Sequence, residues 1–129
     1  MTVSCIYEQS TGSVTCYDDA TGRRLFDARG YSGTGEGRDN PEHNGTVNVG
    51  PTPRGQWRIG EVGTSRGPNT IRITHEGGDE EFPETRERGS FLIHGNNDEN
   101  DASQGCLILG PAQRRLIIEH GGGTLRVMR

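Results

Sequence analysis

Two short apolar runs hold the residues best suited to do chemistry. Phe91-Leu92-Ile93-His94-Gly95 comes first, and Gly105-Cys106-Leu107-Ile108-Leu109 follows a polar loop that ends Ser103-Gln104. His94 closes the first run and Cys106 opens the second. A thiol with a pKa of about 8.5 is only slightly ionised at neutral pH, and a hydrogen-bonded imidazole can take its proton or stabilise the thiolate. Gly105 leaves the sulfur unshielded and lets backbone approach a substrate. The amides of Gly105 and Cys106 are natural donors to the oxyanion of a tetrahedral intermediate. Ser103 is placed to orient either the imidazole or the loop. Continuous apolar runs of this length suit central strands covered on both faces. Paired antiparallel, the two runs would bring His94 and Cys106 together at the mouth of the loop.

The rest of the chain supplies the frame. Segments 3–7 and 14–17 flank a turn at Thr11-Gly12 and read as a β-hairpin. Cys5 and Cys16 share one face of it, either as a disulfide or as two reduced buried thiols. Residues 29–56 are dense in Gly and Pro and break regular structure. Their GTGEG stretch lacks the G-K-[ST] ending of a phosphate loop. Strands are expected at 56–62, where Trp57 and Ile59 alternate inward with Glu61, and at 70–75. The two apolar runs add two more, and 124–128 forms the last. PAQRRLIIEH reads as a short helix with Pro111 in its first turn and Gly121 at its stop. The expectation is one mainly β domain over residues 1–129, of about seven strands and one or two short helices.

Composition narrows the function classes. The chain has 129 residues, 28% of them apolar, with 21 glycines and a net charge of −4. Such a small apolar share implies a thin core with long loops. All 14 basic residues are arginines, scattered rather than striped, which argues against a nucleic-acid partner. No apolar run is long enough to span a membrane. MTVSCIYEQS has neither the basic nor the apolar region of a secretory signal. With three cysteines at least one thiol is left over.

The order HG, then a polar loop, then S-x-G-C and an apolar strand resembles the signature of L,D-transpeptidases, the YkuD-type cysteine enzymes of bacterial peptidoglycan. Those usually carry S/T-H-G-C with an Arg or Asn soon after; Ser103-Gln104-Gly105-Cys106-Leu107-Ile108 lacks the second His and the Arg. YEQSTGSV, GYSGTGEGRDNP and NVGPTPRGQWRIG, taken with FLIHG and SQGCLIL, are similar to the type VI secretion L,D-transpeptidase effectors. The resemblance implies a small L,D-transpeptidase-like β-sandwich or barrel with long Gly-rich loops. It implies attack by Cys106 on the meso-diaminopimelate–D-Ala bond of tetrapeptide stems, with His94 as base and Ser103 matching the family Ser. Tyr31, Ser32 and Gly33 match the family's YSG segment and are expected to line the substrate groove, with Gly95 and Gln104 in the same set. No cofactor or metal is required. An immunity protein and a secretion-apparatus component are the implied protein partners, with synthesis in the cytoplasm and delivery to the periplasm of target bacteria.

Other readings compete. The acidic stretch Asp98, Glu99, Asp101 is either a solvated loop or a lid meeting the ammonium groups of the stem. A papain- or NlpC-like amidase would place its His after the Cys, as His120 is, although a His before Gly121 is more simply a helix cap. His43, His75, His94, His120 and Cys106 could be counted toward zinc, but no pair has the usual ligand spacing. A non-catalytic wall-binding module would use Tyr31 and Trp57 as stacking platforms.

Overall fold

The computed structural model describes residues 2–44, 46, 49–77, 90–97, 103 and 105–129. Nine strands are present among them: β1 (Val3–Glu8), β2 (Ser13–Asp18), β3 (Arg24–Arg29), β4 (Tyr31–Ser32), β5 (Gly55–Gly63), β6 (Thr70–Gly77), β7 (Ser90–His94), β8 (Leu107–Ile108) and β9 (Gly123–Met128). One α-helix, α1 (Pro111–Glu119), and two 3-10 turns, Gly35–Gly37 and Pro41–His43, complete the described structure. The mainly β expectation holds. β3 and β4 are the strands that hydrophobic pattern did not show; β3 is half-exposed and β4 has only two residues.

All nine strands form one sheet in the order β3-β2-β1-β9-β5-β6-β7-β8-β4. Its two edges are β3 and β4, yet a single residue, Gly30, lies between them in sequence. Laid flat, nine strands would hold their edges roughly 38 Å apart. One residue cannot bridge that, so the sheet must roll until its edges adjoin. Gly30 makes the crossing: its N–H donates to Gly12 O at 2.9 Å, and a Cβ there would sit 2.2 Å from Ile108 O. Only glycine fits.

The inward face of the rolled sheet carries Tyr7, Trp57, Ile71, Ile73, Ile93 and Leu125. Trp57 is fully buried. Its indole N–H donates to Pro53 O at 2.9 Å and its ring packs on Phe91. It is therefore core, not a stacking platform. The alternation in β5 that would have turned Glu61 inward is lost at a register shift between Ile59 and Val62. α1 starts with Pro111 after the Gly110 cap and buries Ile117 and Arg114. His120 is its C-cap residue, and Gly121 follows at φ +81°. Among the described residues no helix is long and apolar enough to cross a membrane.

β7 and β8 run parallel, with Ile93 opposite Leu107 and His94 opposite Ile108. The antiparallel expectation is therefore wrong. The direction of β8 is set from its other side: it pairs antiparallel with β4, whose own direction is fixed by the Gly30 crossing.

Cys5 and Cys16 face each other in the β1–β2 register and form a disulfide. The bond closes a short loop, with a sequence separation of 11, so by chain entropy it contributes about 2–3 kcal/mol. The double variant C5A/C16A should lose that amount in urea denaturation while keeping its far-UV spectrum. An unchanged midpoint would mean that hairpin pairing alone carries the stability.

Candidate active site

Cross-strand partners point to the same face of a sheet. Tyr31 opposes Ile108, and Ile108 opposes His94, so these three side chains share one face. Ser32, Leu107 and Ile93 share the other. Cys106 immediately precedes β8. It is half-buried in the bend there, two register positions from His94 on the adjacent strand. The site is thus built across β7, β8 and β4.

His94 is 4% exposed. Its Nδ1 lies 2.9 Å from Gly95 O. A carbonyl only accepts, so Nδ1 carries the proton and Nε2 the lone pair. Desolvation holds the imidazole below its ordinary pKa, opposed by the Gly95 hydrogen bond and reinforced by the positive charges of Arg66 and Arg114. The ring is neutral at neutral pH.

The turn leading into Cys106 is held by three buried hydroxyls. Ser103 Oγ donates to Cys106 O at 2.5 Å and accepts from Gly105 N at 3.1 Å and Gly33 N at 2.8 Å. Thr52 Oγ1 donates to Gly105 O at 2.6 Å. Ser32 Oγ accepts from Thr52 N at 2.8 Å and, with Thr52's proton committed, donates to Cys106 O at 3.0 Å. Ser103, Ser32 and Thr52 are all fully buried.

Several expectations change at this hub. Ser103 orients the loop, not the imidazole. Ser32 and Gly33 do not line a groove: the hydroxyl of Ser32 is spent inside the hub, and the Gly33 amide is bound to Ser103. The Gly105 amide is likewise committed to Ser103, which removes it as an oxyanion donor. Gln104 and the acidic stretch Asp98, Glu99, Asp101 lie outside the described residues.

Tyr31 and Gly95 do line a cleft. It has a volume of about 430 Å³ and also touches Asn96, Ile108, Gly110 and Arg114. The Tyr31 hydroxyl donates to Asn96 Oδ1 at 2.6 Å, and Arg38 lies 3.8 Å over its ring. A Cβ on Gly95 would sit 2.8 Å from Arg114 Nη2, so this glycine makes room for the guanidinium.

Sequence reasoning did not single out Thr52, Asp39, Asn96 or Arg114. Asp39 Oδ1 accepts from Tyr7 Oη at 2.6 Å and from Ser32 N at 3.0 Å, tying the hub to the core. Burial pushes its carboxyl above the ordinary range, against the opposing effect of those two bonds and of Arg38 and Arg29. The only sequence hint was its place in GYSGTGEGRDNP.

The competing histidines are elsewhere. His120 lies at the far end of α1, its Nδ1 2.8 Å from Leu116 O and its Nε2 4.0 Å from Asp18. His75 packs edge-on against Trp57. Among the described residues no three His, Cys, Asp or Glu side chains are grouped to hold a metal.

Removing Asp39 tests the tie between hub and core. D39A leaves the Tyr7 hydroxyl and the Ser32 amide without their acceptor, at about 1–3 kcal/mol for each buried group. D39N keeps that acceptor, and Asn tolerates the left-handed backbone at this position (φ +47°). We therefore expect D39A to lower the thermal midpoint sharply and D39N to stay near wild type. Equal losses would show that the charge, not the acceptor, matters.

Comparison with known proteins places this geometry. The Tlde1 domain family model matches residues 26–128. No curated protein matches the chain in sequence. The fold is similar to that of Mycobacterium tuberculosis L,D-transpeptidase 1, with a TM-score of 0.60 at 15% identity over 99% of this chain and 62% of that one. It is similar to an L,D-transpeptidase (Yku) from Stackebrandtia nassauensis, with a TM-score of 0.56 at 14% identity over 100% of this chain and 56% of that one. The helical cell shape determining protein Pgp2 from Campylobacter jejuni gives a TM-score of 0.56 at 14% identity over 98% of this chain and 46% of that one. The chain thus spans less than two thirds of the length of these structures. With an L,D-transpeptidase fold and a family match over most of its length, the chain belongs to the Tlde1 domain family.

Proposed function

We propose that the chain is a peptidoglycan-modifying cysteine enzyme that cleaves the bond between meso-diaminopimelate and the terminal D-Ala of tetrapeptide stems. The observation that carries this reading is the buried His94, with its proton fixed on Nδ1 by Gly95 O, on the strand that pairs with the one Cys106 leads into. A base in that state accepts a proton through Nε2.

In this reading Nε2 of His94 takes the thiol proton as Cys106 Sγ attacks the stem carbonyl. The tetrahedral oxyanion is met by the Cys106 amide, since the Gly105 amide is spent. Collapse breaks the C–N bond, and the imidazolium gives its proton to the departing amine of D-Ala. A thioester remains. Water activated by His94 hydrolyses it, which is L,D-carboxypeptidation; a D-amino acid in place of water gives exchange. Ser103, Ser32 and Thr52 touch no reacting atom and act as positioning residues for the turn. Family membership supports the further reading of an antibacterial type VI effector acting in the periplasm of target cells, with an immunity protein guarding the producer.

Mass spectrometry of tetrapeptide muropeptides tests the chemistry. C106A should abolish D-Ala release, and H94A should reduce kcat at least about 10²-fold. H120A should leave turnover near wild type. Activity lost in H120A but kept in H94A would instead select an amidase whose His follows its Cys. Binding of muropeptides without any D-Ala release would select a wall-binding module.

The pH dependence has a definite sign. His94 must be neutral to act, and its pKa is depressed. The acid limb of kcat/KM should therefore fall below the ordinary His value of about 6.5. The same depression makes the unfolded chain bind more protons than the folded one below about 6.5. The His94 contribution to stability is thus complete above that pH and declines as pH falls toward the depressed value. An acid limb above 6.5 would contradict the assignment.

A further inference from the structure

The cleft beside His94 has an unusual electrostatic content. Two arginines line it, Arg29 and Arg114, and among the described residues no acidic side chain does. Arg114 is 8% exposed. Its Nε donates to Leu109 O at 3.0 Å, and its Nη1 donates to Pro68 O at 2.8 Å and Asn69 O at 3.2 Å. These are neutral acceptors, so the charge itself is not compensated among the described residues. Burial alone lowers its pKa, and a guanidinium stays protonated regardless. Its Nη2 makes no hydrogen bond among the described residues and lies at the Gly95 wall of the cleft. The N-terminal end of α1, at Gly110 and Pro111, opens on the same space and adds partial positive charge. The remaining walls supply the Tyr31–Asn96 pair and the apolar surface of Ile108.

A buried cation held in place by carbonyls, with one nitrogen of its fork left toward a cleft, suits an anionic group. The cleft begins one residue from His94, at Gly95. We propose that it is a carboxylate subsite, in which Arg114 receives the free α-carboxylate of the C-terminal residue that leaves when Cys106 attacks. This deepens the reading under Proposed function and rests on it. It gives that reaction a physical basis for choosing stems that end at the scissile residue. A longer or amidated stem would place a neutral group against an uncompensated guanidinium. It also predicts that free D-amino acids enter the exchange reaction through the same subsite.

The test compares tetrapeptide with its C-terminal primary amide on the wild-type protein. Loss of one charge-assisted contact at Nη2 predicts a kcat/KM for the amide about tenfold or more lower. In R114Q that preference should collapse toward unity, whereas a merely structural role would slow both substrates alike. Equal turnover of acid and amide by wild type overturns the proposal, as does an undiminished preference in folded R114Q. A second measurement covers an R114Q that does not fold. D-alanine is titrated against D-alaninamide by NMR in C106A, following the Arg114 Nε–H and Gly95 amide signals. D-alanine alone should shift them; equal shifts, or none, overturn the subsite. This titration needs no turnover. If neither peptide is cleaved, the catalytic reading has failed and the titration still decides the subsite.

Discussion

The site depends on how the turn before β8 is held. Ser103 and Gly105 there are buried, where an unpaired carbonyl or amide costs about 1–3 kcal/mol. Ser103, Ser32 and Thr52 remove that cost at once, because their hydroxyls answer the Gly105 amide and the carbonyls of Gly105 and Cys106. The three come from distant parts of the chain, so the turn forms only when the 30s, the 50s and the 100s have assembled. Asp39 extends the constraint by joining Ser32 to the fully buried Tyr7 of β1. Position at Cys106 is thereby referred to the core, not to a surface loop.

The rolled sheet explains why such a hub can exist in a chain with so few apolar residues. Closing edge to edge through Gly30 brings β4 onto β8. Both strands have only two residues, too short to pair stably in isolation. Their ladder is extended by side chains: Ser32 reaches the Cys106 carbonyl, and Leu109 N donates to His94 O at 3.0 Å on the other flank. Polar contacts thus supplement a thin core where the sheet is narrowest. The disulfide between β1 and β2 plays a similar part on the other side of the sheet.

Much of this was legible from residue pattern. The hairpin at 3–18, the helix at 111–119 and the apolar strands carrying His94 and Cys106 follow from alternation, capping residues and run length. The parallel pairing of β7 and β8 was not legible, because a polar loop between two apolar runs looks the same for a hairpin and for a crossover. What decides is β4, a two-residue strand with no periodicity to detect. The role of Ser32 is hidden for a related reason. Its match to the family's YSG segment implies a groove, but its hydroxyl is matched to a carbonyl 74 positions away. Buried polar matching is a long-range property, and no local spacing encodes it. Tyr31 and Gly95, from the same expected set, do line a cleft.

Arg114 shows the same logic in charge. Burying a cation without an acid is costly unless its donors are satisfied. Here Leu109, Pro68 and Asn69 present carbonyls from two directions, which a planar fork can meet and a lysine ammonium could not in the same geometry. Those carbonyls pin α1 to the end of β8 and to the loop before β6, so the arginine contributes to the frame. Yet neutral acceptors leave its field intact, and that field reaches His94, where it helps keep the imidazole unprotonated. An acid in place of the carbonyls would have satisfied the guanidinium equally well and cancelled this effect. The choice of carbonyls over carboxylate is therefore what lets one side chain hold the helix, depress the basicity of the neighbouring imidazole and keep positive potential in the cleft.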